Sequence, residues 1–82
     1  MSHSITIDIS EFHKGEAKLK DINTYIDMAV ARSGRGQVVT LTGPAPVWMY
    51  LRIAHALHGK VKKLFYTSPA SGDVLIFNHD PH

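Results

Sequence analysis

The alternation of apolar and polar positions predicts the first strand and the first helix. Residues 4–10 alternate strictly, with three isoleucines on one face, which is typical of a β-strand that is buried on one face only. The polar and charged segment 11–20 is predicted to be a loop. Residues 22–32 then carry an apolar stripe at helical spacing, Asp21 is placed to cap this helix, and a glycine-rich segment ends it.

The centre of the chain is a strand, a sharp turn and a second helix. Residues 37–41 are apolar except for one threonine, which favours a central strand covered on both faces. Gly43 and Pro44 break this run, and a helix of about three turns follows, with Gly59 as its stop. We expect four residues of this helix to face the core: Val47, Leu51, Ala54 and Leu57.

Two further strands complete the pattern. Residues 62–67 and 73–79 have strand character, and the turn-forming segment 68–72 between them predicts a hairpin. The order β-α-β-α-β-β predicts an α/β fold, a small open sheet of about four strands with two helices, in one domain spanning residues 1–82.

Composition adds an expectation of self-association. The 82 residues include 44% apolar and 20% charged residues, as in an ordinary globular protein, and no cysteine. Because so short a chain buries only about 60–65% of its unfolded surface, a homodimer is favoured. The net charge of +2 is too small for a DNA-coating protein, and neither a membrane span nor a signal peptide is present, so we expect a cytoplasmic protein without a membrane or DNA partner.

The turn before the second helix is the first candidate binding site. The amides near Gly43, with the Thr42 hydroxyl, could hold a phosphate at the N-terminus of the helix. The turn could equally be a plain strand-to-helix connection, because neither a dinucleotide-binding nor a phosphate-loop glycine motif is present.

Six histidines form the second candidate. His55 and His58 share one face of the second helix, and His79 ends the last strand. Acid–base catalysis is the favoured use of these imidazoles, since they titrate near neutral pH. A metal site with Asp80 is the weaker reading, and His55 could simply pack.

The remaining three histidines are expected to be solvated: His3, His13 and His82.

A third candidate consists of Trp48, Tyr50 and Arg52. Trp48 could stack a base and Arg52 could pair with a phosphate. The alternatives are that Trp48 lies in the core or a dimer interface and that Arg52 is a solvated helix charge.

Two stretches together resemble a known family. The first is Gly43-Pro44-Ala45-Pro46-Val47-Trp48, followed by Ala54-His55. The second is Ser68-Pro69-Ala70-Ser71-Gly72, followed by Val74-Leu75-Ile76 and Asn78-His79. They resemble the small ring nucleases of type III CRISPR systems, distant relatives of the CARF (CRISPR-associated Rossmann-like) domains, over residues 37 to 79.

The resemblance implies binding of the second messenger cyclic tetra-adenylate, sandwiched between dimers, by a CARF/Rossmann-like fold that uses no cofactor. The implied ligand-binding residues are Thr42, Gly43, Pro44, Ala45, Trp48, Arg52, Ser68 and Ser71, and the implied catalytic residues are His58 and His79. Where the family carries Asp-Pro-Arg in the hairpin turn, this chain has Ser68-Pro69-Ala70. The protein would therefore lower the free messenger by sequestration or by slow, metal-independent ring cleavage. A metal-dependent RNA exonuclease or deadenylase and a structural dimerisation module are the alternatives.

Overall fold

Four strands form a single mixed sheet in a computed structural model that describes residues 4–79. The strands and helices, in chain order, are β1 (Ser4–Asp8), α1 (Ile22–Ser33), β2 (Val38–Thr42), α2 (Val47–Leu57), β3 (Lys63–Ser68) and β4 (Gly72–Asn78). Two short 3-10 helices, Ile9–Phe12 and Leu19–Asp21, lie between β1 and α1. The strand order is β1-β2-β3-β4, with the first three strands parallel and β4 antiparallel to β3. The predicted α/β class, the order of elements and the hairpin are confirmed.

The core lies between the two helices and one face of the sheet. Strand residues such as Leu41 and Leu64 and helix residues such as Ala29 and Ile53 belong to one continuous buried cluster. Within residues 4–79, no helix lies over the opposite face of the sheet. Val38 and Thr40, which project from β2 to that face, are only half-buried, so the prediction that β2 is covered on both faces is wrong.

The first strand is shorter than predicted. It ends at Asp8, whose side chain accepts a hydrogen bond from the Ser10 backbone N–H and so starts the first 3-10 helix. Ile9 and Phe12 are buried within this helix, so part of the predicted loop belongs to the core. Asp21 occupies the N-cap position of α1 but makes no capping hydrogen bond with its side chain.

The buried face of α2 also differs from the prediction. Met49 and Ile53 are fully buried together with Leu57, whereas Val47 is 73% exposed and Leu51 is 66% exposed. Apolar residues surround almost the whole helix, so two different stripes fit the helical period equally well. The sheet packs against the stripe that contains Met49 and Ile53, and Val47 and Leu51 are left at the surface.

Candidate functional site

The predicted site residues lie at two separate ends of α2. Residues 42–45 precede the helix, at the carboxyl ends of the parallel strands. His58 follows the helix, and His79 follows β4 at the same end of the sheet. Because α2 has 11 residues, about 16 Å of helix separates the two groups. A single chain therefore does not bring the binding turn and the catalytic histidines together.

Side chains pack tightly around Gly43 in the turn before α2. This glycine has φ of 105°, and a Cβ atom placed on it would lie 1.9 Å from Oδ1 of Asp8. On the other side of the turn, the Tyr50 hydroxyl donates a 2.6 Å hydrogen bond to the Gly43 carbonyl oxygen. Only glycine fits this position, for its backbone conformation and for the space beside it.

A groove of about 610 Å³ opens beside this turn, between α2 and the β3–β4 hairpin. Its walls are mainly apolar and include Val47, Leu51 and Ile76. Tyr50 and Tyr66 also line it and meet edge to face, with their ring centroids 4.9 Å apart. Burial raises the pKa of Tyr50 to about 12, with smaller contributions from Tyr66 and from the Asp8 carboxylate. The groove suits a flat, largely apolar ring better than it suits an anion.

Asp8 also changes the interpretation of the turn itself. Its carboxylate lies directly against the Gly43 backbone, where the sequence predicted a phosphate. A phosphate at that point would face a like charge, so the N-terminus of α2 offers less attraction to an anion than the sequence pattern indicates.

The remaining predicted ligand-binding residues lie apart from one another. In the hairpin turn, the Ser68 Oγ accepts hydrogen bonds of 3.2 Å from the backbone N–H groups of Ala70 and Ser71. The Ser68 hydroxyl therefore shapes the turn. Trp48 is half-buried and packs against the core, while Arg52 is exposed, and neither lines the groove.

The two predicted catalytic histidines are in contact. Nε2 of His58 and Nε2 of His79 are 2.7 Å apart, so one imidazole donates a hydrogen to the other. Both side chains are exposed, and both rings contact Phe77, with ring centroids 5.1 Å from Phe77 to His58 and 5.0 Å to His79. His55 is also exposed and takes no part in the contact.

Three cationic residues lie beside His79, one of these two histidines. A second cavity, of about 400 Å³, is lined by Arg35, Lys60 and Lys62 together with His79. Backbone hydrogen bonds join its three segments: Gly36 N–H donates to Lys60 at 3.0 Å, and His79 N–H donates to Lys62 at 2.8 Å. The cations are thus held at one end of the sheet beside His79, which makes this end suited to a phosphate group.

Sequence reasoning missed several of these features. Arg35 and Lys62 carried no functional prediction, and nothing in the local sequence signals that Asp8 contacts Gly43. His13, expected to be solvated, is half-buried, and its Nδ1 is 3.0 Å from the Gly15 carbonyl oxygen. His3, Asp80 and His82 lie outside the described residues.

Comparisons with known proteins give no further assignment. No protein-family model, no curated protein and no solved structure matches the chain. Within residues 4–79, no three histidine, cysteine, aspartate or glutamate side chains come together in an arrangement that would hold a metal ion. Neither helix in that range has the length and apolar character that a bilayer crossing needs.

Proposed function

We propose that this protein binds cyclic tetra-adenylate, lowers its free concentration in type III CRISPR signalling, and cleaves the ring slowly without a metal ion. The observation that carries the proposal is the His58–His79 contact, with a cavity beside His79 that is lined by cationic side chains. The choice of ligand depends on the resemblance of residues 37 to 79 to the small ring nucleases. The homodimer and the cytoplasmic location expected from the sequence belong to the same proposal.

The chemistry needs one base and one acid, and the pair supplies both. The 2′-oxygen of a ribose attacks the adjacent phosphorus atom while the bond from phosphorus to the 5′-oxygen breaks. One imidazole accepts the proton of the 2′-hydroxyl, and the other donates a proton to the departing 5′-oxygen. The products are a 2′,3′-cyclic phosphate and a 5′-hydroxyl, so no water molecule enters this step.

The geometry of the pair fits this division of roles. At 2.7 Å, one Nε2 atom carries a hydrogen and the other carries a lone pair, so the second ring is placed to act as the base. The first ring acts as the acid in its imidazolium form, in which both ring nitrogens carry hydrogens. Because both side chains are exposed, a phosphate can separate the rings at small cost, and Arg35 and Lys60 neutralise its charge.

The slow rate follows from the hairpin turn. Ser68 and Ala70 stand where the resembled family has an aspartate and an arginine, so the charged groups of that turn are missing here. Binding and sequestration therefore dominate, and the histidine pair adds a slow cleavage.

The test is to incubate the chain with labelled cyclic tetra-adenylate in the presence of a chelator and to analyse native and denaturing gels. We expect a shift on the native gel and slow appearance of linear product on the denaturing gel. A shift with an intact ring would remove the catalytic part of the proposal and keep sequestration. Neither shift nor product would refute the proposal, and cleavage of linear RNA that the chelator abolishes would favour the metal-dependent exonuclease.

A further inference from the structure

Most of the exposed large hydrophobic side chains lie along one border of the molecule. Within residues 4–79, six such side chains are strongly exposed, and five of them belong to α2 or β4: Val47, Leu51, Val74, Leu75 and Ile76. The sixth, Leu19, lies in a 3-10 helix between β1 and α1. Three of the five line the same groove. We call the five residues the apolar edge.

The apolar edge is exposed on both faces of the sheet. Val74 pairs with Tyr66, whose ring lies in the groove on the helix side, and Leu75 pairs with Phe65. Cross-strand partners share a face and neighbouring residues point to opposite faces, so Val74 and Leu75 project from opposite faces of β4. A helix laid in the groove would cover one of these faces. A strand added alongside β4 places side chains next to this strand on both faces, and its backbone can pair with the edge.

The strand β4 lacks most features that keep an edge strand unpaired. It is the longest strand, with seven residues, and contains neither lysine nor proline. Its single charge, Asp73, is near its start, and its irregularity leaves Ile76 without a partner on β3. The other edge, β1, presents polar side chains to solvent at Ser4 and Thr6. Three consecutive exposed apolar residues on an edge strand indicate a binding surface.

We propose that β4 pairs with β4 of a second copy of this chain, antiparallel and about a twofold axis. The charges at the two ends of β4 favour a second copy of this chain as the partner, in the antiparallel orientation. Asp73 lies near the start of β4, and the cavity with Arg35 and Lys60 lies at its end beside His79. Antiparallel pairing places Asp73 of each copy toward the cationic end of the other, twice per dimer, whereas parallel pairing places like charges together.

The pairing of β4 with its copy extends over about 23 Å, the length of seven strand residues. A standard interface takes about 800 Å² from each partner, and this chain exposes 5314 Å² in total. The side chains of the apolar edge add to the surface that the paired strands bury. Burying them also offsets the small core of an 82-residue chain.

The pairing has a consequence for the site, and this consequence rests on the proposed function. The hairpin turn at Ser68–Ser71 lies at the opposite end of β4 from His79. In an antiparallel dimer, the hairpin and groove of one copy lie beside the histidine pair of the other. The two halves of the site, which one chain keeps apart, would then adjoin.

The first test is the mass of the protein in solution, without any nucleotide. We expect sedimentation equilibrium to give twice 9.1 kDa at micromolar concentration. Ile76→Asp introduces a charge on both sides of the axis and should raise the dimer dissociation constant by about 100-fold or more. Leu19→Asp is the matched control, because Leu19 is 61% exposed away from the apolar edge, and it should remain dimeric. A monomeric parent chain, or an Ile76→Asp variant that remains a dimer, would overturn the proposal.

The second test determines the relative orientation of the two β4 strands by disulfide cross-linking. The chain has no cysteine, so an intermolecular disulfide in a single-cysteine variant can form only between the two introduced cysteines. In the antiparallel dimer Leu75→Cys or Ile76→Cys lies near the axis and should form an intermolecular disulfide under mild oxidation. Asp73→Cys lies at least about 13 Å from its symmetry mate and should not. Equal cross-linking of all three variants, or of none, would overturn the proposal. Neither test involves the nucleotide, so either result leaves the ligand hypothesis to its own experiment.

Discussion

The two ends of α2 differ in almost every property that matters for function. At its amino end, Gly43, Asp8 and the Tyr50 hydroxyl are packed together beside an apolar groove. At its carboxyl end, the exposed imidazoles of His58 and His79 are in contact, and His79 lines a cavity with three cationic residues. One 11-residue helix thus joins a packed, apolar site to an open, charged one.

The difference lies in how each end is held in place. Side-chain contacts determine the geometry at the amino end, so a substitution there disturbs the fold itself. Backbone hydrogen bonds hold the carboxyl end, at Gly36, Lys60 and His79, and leave the functional side chains at the surface. Substitutions at the amino end should therefore change stability, and substitutions at the carboxyl end should change chemistry.

The largest expected effect is the loss of stability in Gly43→Ala. The alanine would have to adopt φ of 105°, and its Cβ would meet the Asp8 carboxylate, so either the turn opens or Asp8 gives up its hydrogen bonds to Ser10. We expect a loss of about 3 kcal/mol in the free energy of unfolding, measured by urea denaturation.

Gly59→Ala at the other end of α2 is the matched control. Gly59 also has positive φ, 88°, but a Cβ there would meet no atom within 4 Å. Backbone strain alone predicts a loss of about 1 kcal/mol. Equal losses at the two glycines would show that the packing against Asp8 contributes nothing.

The next effect concerns the histidine pair. His58→Ala or His79→Ala removes one of the two proton-transfer groups and should slow ring cleavage by about 100-fold, with the free energy of unfolding nearly unchanged. His55→Ala is the control, since His55 is exposed on the same helix and outside the contact. Single-turnover assays on labelled ring give the rates. Slowing by His55→Ala to the same extent would contradict the assigned roles.

The order of elements was predictable from the sequence, because strict alternation at residues 4–8 and turn residues at 43–44, 59 and 69–72 punctuate the chain clearly. The buried face of α2 was not predictable. Its apolar residues occupy nearly every direction around the helix, so periodicity alone could not separate Met49 and Ile53 from Val47 and Leu51.

The candidate site was predictable in its residue types and not in its geometry. Local patterns singled out Gly43, His58 and His79. They do not predict the distance between the turn and the histidines. The contact between His58 and His79 depends on the pairing of β4 with β3, and the contact between Asp8 and Gly43 depends on the pairing of β1 with β2. Such non-local contacts leave no periodic signal in the chain.

A smaller effect is expected for Tyr50→Phe. The substitution removes the 2.6 Å hydrogen bond to the Gly43 carbonyl oxygen and should cost about 1 kcal/mol. Tyr66→Phe changes the other ring of the edge-to-face pair and is the control, with a loss near zero. A loss for Tyr66→Phe as large as that for Tyr50→Phe would assign the effect to the rings and not to the hydrogen bond.

The Tyr50 hydroxyl also predicts a dependence of stability on pH. Its pKa is 10.0 when unperturbed and about 12 in the fold, so between these values the folded chain retains a proton that the unfolded chain has lost. The contribution of Tyr50 is therefore complete below pH 10 and is lost as the pH rises toward 12. Urea denaturation across this range should show the loss in the parent chain, and Tyr50→Phe should reduce it.

The smallest effect tests whether the cations at the carboxyl end act on the ligand through charge. Lys60→Gln removes one positive charge from the cavity beside His79 and keeps most of the side-chain length. We expect binding of cyclic tetra-adenylate to weaken by about threefold at low salt and the difference to shrink at high salt, because screening reduces long-range attraction. Lys20→Gln, an exposed lysine in the second 3-10 helix, is the control and should bind as the parent does. Equal weakening by both substitutions would mean that net charge alone attracts the ring. The cationic cavity beside His79 would then have no special role.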